Sequence, residues 1–477
     1  MGANETNREF KLNYKRTLII GFAFFGILLL WQVYDTWCPP FLTELFKKAL
    51  NTDNSEQVQY IVGIVMAMDN LAALLIMPLF GRLSDKTHTR IGKRMPYILV
   101  GTMVCAIAFP FIPVFFHFNN IVGTIVMMGI ILVFAMMYRN PAVSLMPDMT
   151  PKPLRSKANG IINIMGYLGG AFATVVGIVF VLSHYLGTGN PPYTGPQVGQ
   201  LWVIEMPFVI ASLLMVISAA VLFFLVKENK IAEEVKDEMA RGELVAAAAE
   251  KLSDDDNAPL SKANKIMLFL ILGAEFFWFM ADNGVSTFLS NYIIYNVGAS
   301  TVSTAILTIV GGVGSVIGFI FGGIIASKIG RKWTLLSGLF LAILSYALWI
   351  VFTYALGLTS GPALSGLPIW LYVLWLFKGF GMSLVHVNSY PMVVELCTGK
   401  KIGQFTGYYY AASMSAQTVT PIAFGALLLA PAFDWNLLPI YAGICIAVSI
   451  TIFLFVKNVK TRKTQIKTGL AALDQDD

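Results

Sequence analysis

Apolar residues run along this chain in unbroken blocks of about 20, the length of helix that crosses roughly 30 Å of hydrocarbon. The blocks predict helices near 17–45, 57–81, 96–117, 120–146, 157–184, 202–226, 264–295, 302–327, 333–356, 367–394, 402–430 and 436–456. The expectation is therefore an all-α membrane protein with twelve transmembrane helices. Barrel strands would alternate apolar and polar residues, so a β-barrel is excluded. The first block is too long for a signal peptide and has no small-residue cleavage site.

Basic residues recur in alternate loops: Arg82, Lys86, Arg90, Lys93 and Arg94, then Lys152, Arg155 and Lys157, then Lys328, Arg331 and Lys332, then Lys400 and Lys401. The opposite loops carry only Lys47 and Lys48. Short positive loops stay cytoplasmic, which places both termini inside a plasma or inner membrane. Composition agrees, since 56% hydrophobic and 13% charged residues in a chain of 477 are too apolar for one soluble core. The net charge of +6 spreads over the inward loops, as insertion alone requires, so nucleic-acid binding is not expected. Cys38, Cys105, Cys397 and Cys445 form no CxxC, and neither a metal site nor a cofactor nor a disulfide framework is signalled.

The one long charged insert divides the chain into a tail (1–16), a six-helix half (17–227), a cytoplasmic linker with a helix (228–263), a second six-helix half (264–457) and a tail (458–477). At an offset of 247 the halves repeat. Trp31 and Asp35 match Trp278 and Asp282, Arg139 and Asp148 match His386 and Glu395, and Gly160 matches Gly407. Two halves that each build one side of a shared pathway would repeat in this way.

After the second span comes Gly81-Arg-Leu-Ser-Asp85-Lys86, leading to Arg90-Ile-Gly92-Lys93-Arg94-Met-Pro96, and after the eighth comes Gly323 to Lys332 with Ser327 in place of the acid. These loops resemble the signature loop of the major facilitator superfamily, implying two pseudo-symmetric six-helix bundles. Asp85, Arg90 and Arg94 are expected to pair across the seam between the halves and with helix ends. Asp148, Arg155 and Glu395, at cytoplasmic helix ends, are further gate or latch candidates. The four extra residues in the first loop, with Arg139-Asn-Pro-Ala and Pro147-Asp148-Met-Thr-Pro-Lys-Pro-Leu-Arg155, are similar to the glycoside–pentoside–hexuronide:cation symporters, in the branch near sucrose transporters. That resemblance implies symport of a sugar or glycoside with a cation by alternating access. The sodium-coupled branch has two acids just before Pro78-x-x-Gly81, where this chain has Ala73 and Met77, so the resemblance favours a proton.

An ionisable group inside the bilayer costs at least ~2.5–3.5 kcal/mol on insertion scales and needs a partner or a wet cavity. Asp35, Asp69, Glu275 and Asp282 are the coupling candidates, Asp35 first, although it would also serve to cap a break before Pro39-Pro40. Depth counted at ~1.5 Å per residue allows Asp282 to pair with Lys378 and Glu275 with His386. Arg139 is assigned to substrate or to a carboxylate, with a fixed ion pair to Asp69 as the alternative. Sugar recognition needs flat apolar faces and fixed amides. Trp31, Gln32, Tyr34, Trp278, Asn283, Trp375, Asn388 and Gln417 supply them, beside Arg139, Lys378 and His386. A facilitator or efflux antiporter of the same fold is the rival reading. An intramembrane enzyme would need a His/Asp or Ser/His constellation at one depth, which the sequence lacks. The pathway lies within one chain, so a monomer suffices.

Overall fold

The computed structural model describes residues 10–188, 193–251, 262–355, 363–364, 366–396 and 402–457. Its long helices are α1 Tyr14–Leu50, α2 Gln59–Lys86, α3 Met95–Ala108 (continued by Phe111–His117), α4 Ile121–Asp148, α5 Arg155–Val179 and α6 Leu201–Leu225. The second half contains α7 Lys262–Asn291, α8 Thr301–Ile329, α9 Arg331–Ile350, α10 Ile369–Val394, α11 Ile402–Leu428 and α12 Leu437–Leu454. Among the described residues, eleven helices are long and apolar enough to cross a membrane. The one that falls short is α11, whose Gln404, Tyr408–Tyr410, Ser413, Gln417 and Thr420 make it too polar for that criterion. It lies against α2 and α7, so much of its surface faces protein.

Side-chain caps start several helices where the first backbone N–H groups would otherwise lack acceptors. Asn13 accepts from the Arg16 amide at 3.0 Å, Asn120 from Gly123 at 2.9 Å, and the Ser300 hydroxyl from Val302 at 3.2 Å. Contrary to the expected break, α1 runs through Pro39-Pro40 as one helix to Leu50. The two prolines remove the donors that would bond the Asp35 and Thr36 carbonyls. The helix thus continues unbroken while gaining polarity at that level.

Two hydrophobic clusters form the cores, one from α1–α6 joined by Ile294, the other from residues 267–456. The halves meet through α2 against α11, α5 against α8, and α1 against α7. The termini of α1 and α12 lie on one face, where Lys332 donates to the Leu454 carbonyl at 3.0 Å. On the opposite face the seam is shut by hydrogen bonds between halves. Asn291 donates to the Thr43 hydroxyl at 3.0 Å and to the Gln59 side chain at 3.1 Å, Tyr295 to Glu44 at 2.7 Å, and Trp435 to Ser55 at 2.8 Å. Sequence reading pointed to none of these as a closure.

Glycine makes that closure possible. A Cβ at Gly63 would overlap the Pro421 carbonyl, and one at Gly425 the Gln59 carbonyl, so α2 and α11 touch backbone to backbone. Gly166, Gly169, Gly311, Gly314 and Gly318 pack closely within their own halves, while Gly160 and Gly312 face open space. Gly63→Val should therefore wedge the opposite face apart. In that background a cysteine introduced at Ser290 should react several-fold faster with a membrane-impermeant thiol reagent applied from that side, and an unchanged rate would count against the closure.

Candidate functional site: a polar cavity between the halves

Where α1, α7, α8 and α10 face one another, a cavity of about 330 Å³ opens between the halves. Gln32, Asp35 and Thr36 of α1 line one wall; Asp282 and Ser286 of α7, with Trp375, Lys378 and His386 of α10, line the other. Asp35 and Ser286 are exposed to this cavity although both lie deep in spanning helices. Their positions answer the requirement that intramembrane polar groups meet water or a partner.

Lys378 Nζ lies 2.5 Å from Asp282 Oδ1, the pair expected from helix counting, with side chains 13% and 30% exposed. Its ammonium sits 5.8 Å from the centre of the Trp375 ring. His386 belongs to the same wall, 5.4 Å from Phe279 by ring centroids. It does not pair with Glu275, which is fully buried with neither carboxylate oxygen hydrogen-bonded among the described residues. Level along the helix, not azimuth, explains the miss: seven residues return Glu275 to nearly the same face of α7 as Asp282 but about two turns nearer the helix start, and the cavity wall includes only Asp282.

On the other half, the Arg139 guanidinium lies 5.8 Å from the Trp31 ring centre, a cation–π arrangement. Arg139 is close enough to Asp35 and Asp69 to interact with both electrostatically. The fixed ion pair between Arg139 and Asp69 does not form among the described residues. Asp69 instead accepts from the Asn70 side-chain amide at 2.8 Å.

Several recognition candidates lie away from the cavity. Tyr34 and Trp278 are fully buried, the indole of Trp278 packed near Phe453. The Asn388 amide returns to the Leu384 carbonyl at 2.8 Å, and Gln417 to the Ser413 carbonyl at 3.3 Å. Asn283 is half-buried, its side-chain oxygen without a hydrogen-bond partner among the described residues. Sequence reading missed the hydroxyls of α8, Thr304, Thr308 and Ser315, which line the cavity. Their spacing of four and seven residues on an apolar helix puts them on one stripe and was a legible signal.

At the face carrying the termini, Arg94 binds Asp85 at 2.5 Å and Asp148 at 2.9 Å, and Lys93 reaches Asp148 at 3.1 Å. Burial works against the guanidinium's charge, but Asp148 and Asp85 outweigh it and hold its pKa above the ordinary value. The expected pairing of this loop across the seam is corrected: all these groups belong to the first half. Arg90 is exposed, its carbonyl accepting from Asn229 at 3.0 Å. Arg155 donates to the Pro147 and Thr150 carbonyls at 2.9 and 3.1 Å, closing its own turn. Glu395 pairs with Arg331 at 2.9 Å within the second half, while the Ser327 hydroxyl bonds only the Ile324 carbonyl. Lys400 and Lys401 lie outside the described residues.

Glu228, at the start of the insert helix Glu228–Glu234, is 4% exposed. Its carboxylate accepts from the backbone amides of Lys93, Arg94 and Met95 at 3.0–3.1 Å, filling the N-terminus of α3. Gly92 has a φ of +123°, and a Cβ there would collide with that carboxylate.

Two six-helix halves around a central polar cavity, each with a basic loop at the same face, agree with the sequence comparison. The profile of the major facilitator superfamily matches residues 20–355 and 271–473. The chain belongs to the major facilitator superfamily. No curated protein sequence matches it. Among solved structures, this major facilitator chain is similar to the peptide transporter POT in complex with alafosfalin (TM-score 0.64, 14% identity, 94% of this chain and 95% of that one). It is also similar to the POT family transporter PepTSo (TM-score 0.60, 13% identity, 94% and 98%). The nucleoside transporter NupG aligns too (TM-score 0.56, 14% identity, 93% and 99%). At such identities these likenesses concern the fold.

The Asp282–Lys378 pair yields a stability test. Lys378→Met leaves a carboxylate without its partner and should destabilise the detergent-solubilised protein. Cavity solvent should hold the loss below the ~3–5 kcal/mol of a fully buried pair. Adding Asp282→Asn should restore much of the lost thermal midpoint; equal losses in the single and double variants would show that the pair is not coupled.

Proposed function

We propose that this transporter carries a disaccharide or other glycoside together with a proton by alternating access, with both termini in the cytoplasm and each chain working alone. The observation that carries the reading is the cavity itself. It places an accessible carboxylate, Asp35, opposite an already neutralised pair, Asp282–Lys378, among hydroxyls and one indole. A neutral polyhydroxylated solute fits such a lining: hydroxyls exchange hydrogen bonds with Gln32, Ser286, Thr308 and Ser315, and Trp375 offers a face to C–H groups. With Lys378 satisfied by Asp282, Asp35 is the carboxylate left to take up and release the coupled proton, and Arg139 is the cation near it. The resemblance of the Arg139-Asn-Pro and Pro147-Asp148 segments to glycoside:cation symporters supports the sugar.

A second reading has its own support. Charges of both signs at the cavity, Lys378 and Arg139 against Asp35 and Asp282, also suit a zwitterion, and two of the similar structures are titled as peptide transporters. On either reading the seam closed opposite the termini gives a cavity facing the cytoplasm.

The test is uptake of labelled sucrose and, separately, a labelled dipeptide into proteoliposomes under an inward proton gradient, with sodium substituted in parallel. Sucrose accumulation should require the proton gradient, and Asp35→Asn should reduce it to equilibration. Accumulation of the dipeptide alone would replace the sugar reading with the zwitterion reading.

A further inference from the structure

Beside the central cavity lies a second, smaller chamber at the junction of α1, α5 and α8, of about 20 Å³. That volume accommodates a single water molecule, for which ~10–15 Å³ suffices. Its polar lining is Gln32, Thr36, Thr174, Thr301, Thr304 and Thr308. The first two and the last two of these also line the central cavity, so the chambers share a wall. Two of the hydroxyls, Thr301 and Thr304, are only 6% and 5% exposed and have no hydrogen-bond partner among the described residues. A buried hydroxyl left unbonded is costly, and a bridging water would remove that cost.

The position matters as much as the polarity. Thr301 is the first residue of α8, and its backbone amide donates to the Ser183 hydroxyl at 3.2 Å, next to Ser300 on the face opposite the termini. The chamber therefore lies between that face and the α1 turn that presents Asp35. It bypasses the Asn291–Thr43–Gln59 closure, which shuts the direct route between α1, α2 and α7.

We propose that this chamber holds a water molecule bound by Thr301 and Thr304, and that this water hands protons from the opposite face towards Asp35 once rocking of the halves has shut the cavity off from the cytoplasm and before the solute route opens. The transport half of the statement rests on the proton-symport reading above; the water site does not. Asp35 is faced by Asp69 from α2 and Arg139 from α4. Across the cavity stand Asp282 of α7 and Lys378 and His386 of α10. The proton arriving at Asp35 thus enters a set of groups in which Asp282 and Lys378 already satisfy each other. Because α5 and α8 belong to different halves, rocking of the halves would open and close the chamber, timing proton entry to the conformational cycle.

The experiment has two arms. In radiolytic footprinting, water bound in the chamber should oxidise Trp37, which lines it and is 3% exposed, several-fold faster than Trp278, which is buried in the second core. Ala173→Leu, which fills the chamber from α5, should bring Trp37 down to the rate of Trp278. Equal rates in the wild type overturn the water site. In proteoliposomes, Thr301→Val and Ala173→Leu should slow proton-driven sucrose uptake about a hundredfold, the lower end of what a positioned proton-transfer group contributes. Sucrose counterflow, which needs no net proton entry, should be unchanged, and Thr301→Ser should restore the driven rate. Undiminished driven uptake in both variants overturns the proton route. A wild type without any proton-driven uptake removes that route together with the symport reading, and Trp37 labelling then decides the water site alone.

Discussion

Hydrocarbon supplies no hydrogen bonds, and the arrangement of this molecule follows from that shortage. Most charged groups held at depth gather where water and opposite charge are available, the seam between the two bundles, while Glu205 and Glu275 stay buried away from the cavity. Asp35, Asp282, Lys378 and His386 converge there from three helices and two halves. The lipid-facing surfaces are left to Leu, Ile, Val and Phe. The cavity is thus less a hole in a finished structure than the region where the chain collects what the membrane refuses.

The same shortage shapes the contact between bundles. At the closed end, amide and hydroxyl side chains of Gln59, Thr43 and Asn291 bond one another while Gly63 and Gly425 let backbones touch. Such an interface is tight, and Ile294 and Trp435 of the second half bring apolar surface into it. Opening it exchanges these hydrogen bonds for water, a net change of ~0.5–1.5 kcal/mol for each neutral one and ~1.5–3 kcal/mol for Tyr295 to the Glu44 carboxylate. At the other end, the ion pairs of Arg94 and of Arg331 stay within their own halves, so among the described residues no ion pair there has to be separated for the bundles to part.

The helices and the two-part division were legible because block length and loop charge are set by the bilayer itself. The pairing of Asp282 with Lys378 was legible because both could be counted from helix ends along a rigid rise of ~1.5 Å per residue. Azimuth was harder. Asn388, two residues from His386, has the cavity's depth but is turned away from it, and an apolar helix packed on several sides offers no amphipathic stripe to reveal which face looks inward; Glu275 and Trp278 share the stripe of Asp282 but sit about two turns and one turn nearer the start of α7, buried in the core. Long-range choices between alternative partners were equally hidden: nothing local shows that Arg94 meets Asp148 rather than a group across the seam, or that Glu228 returns over more than a hundred residues to cap α3.

That last contact has a mechanical meaning. Glu228 fastens the start of the insert to the first bundle, and further along Gly242 sits against Pro151 and Pro153 of the same bundle. Most of the apparent connector is therefore cargo of one half, and the free tether between the halves is shorter than the charged stretch suggests. A protein that grasped the insert would hold the first bundle by a handle, and would follow the rocking of the transporter without braking it.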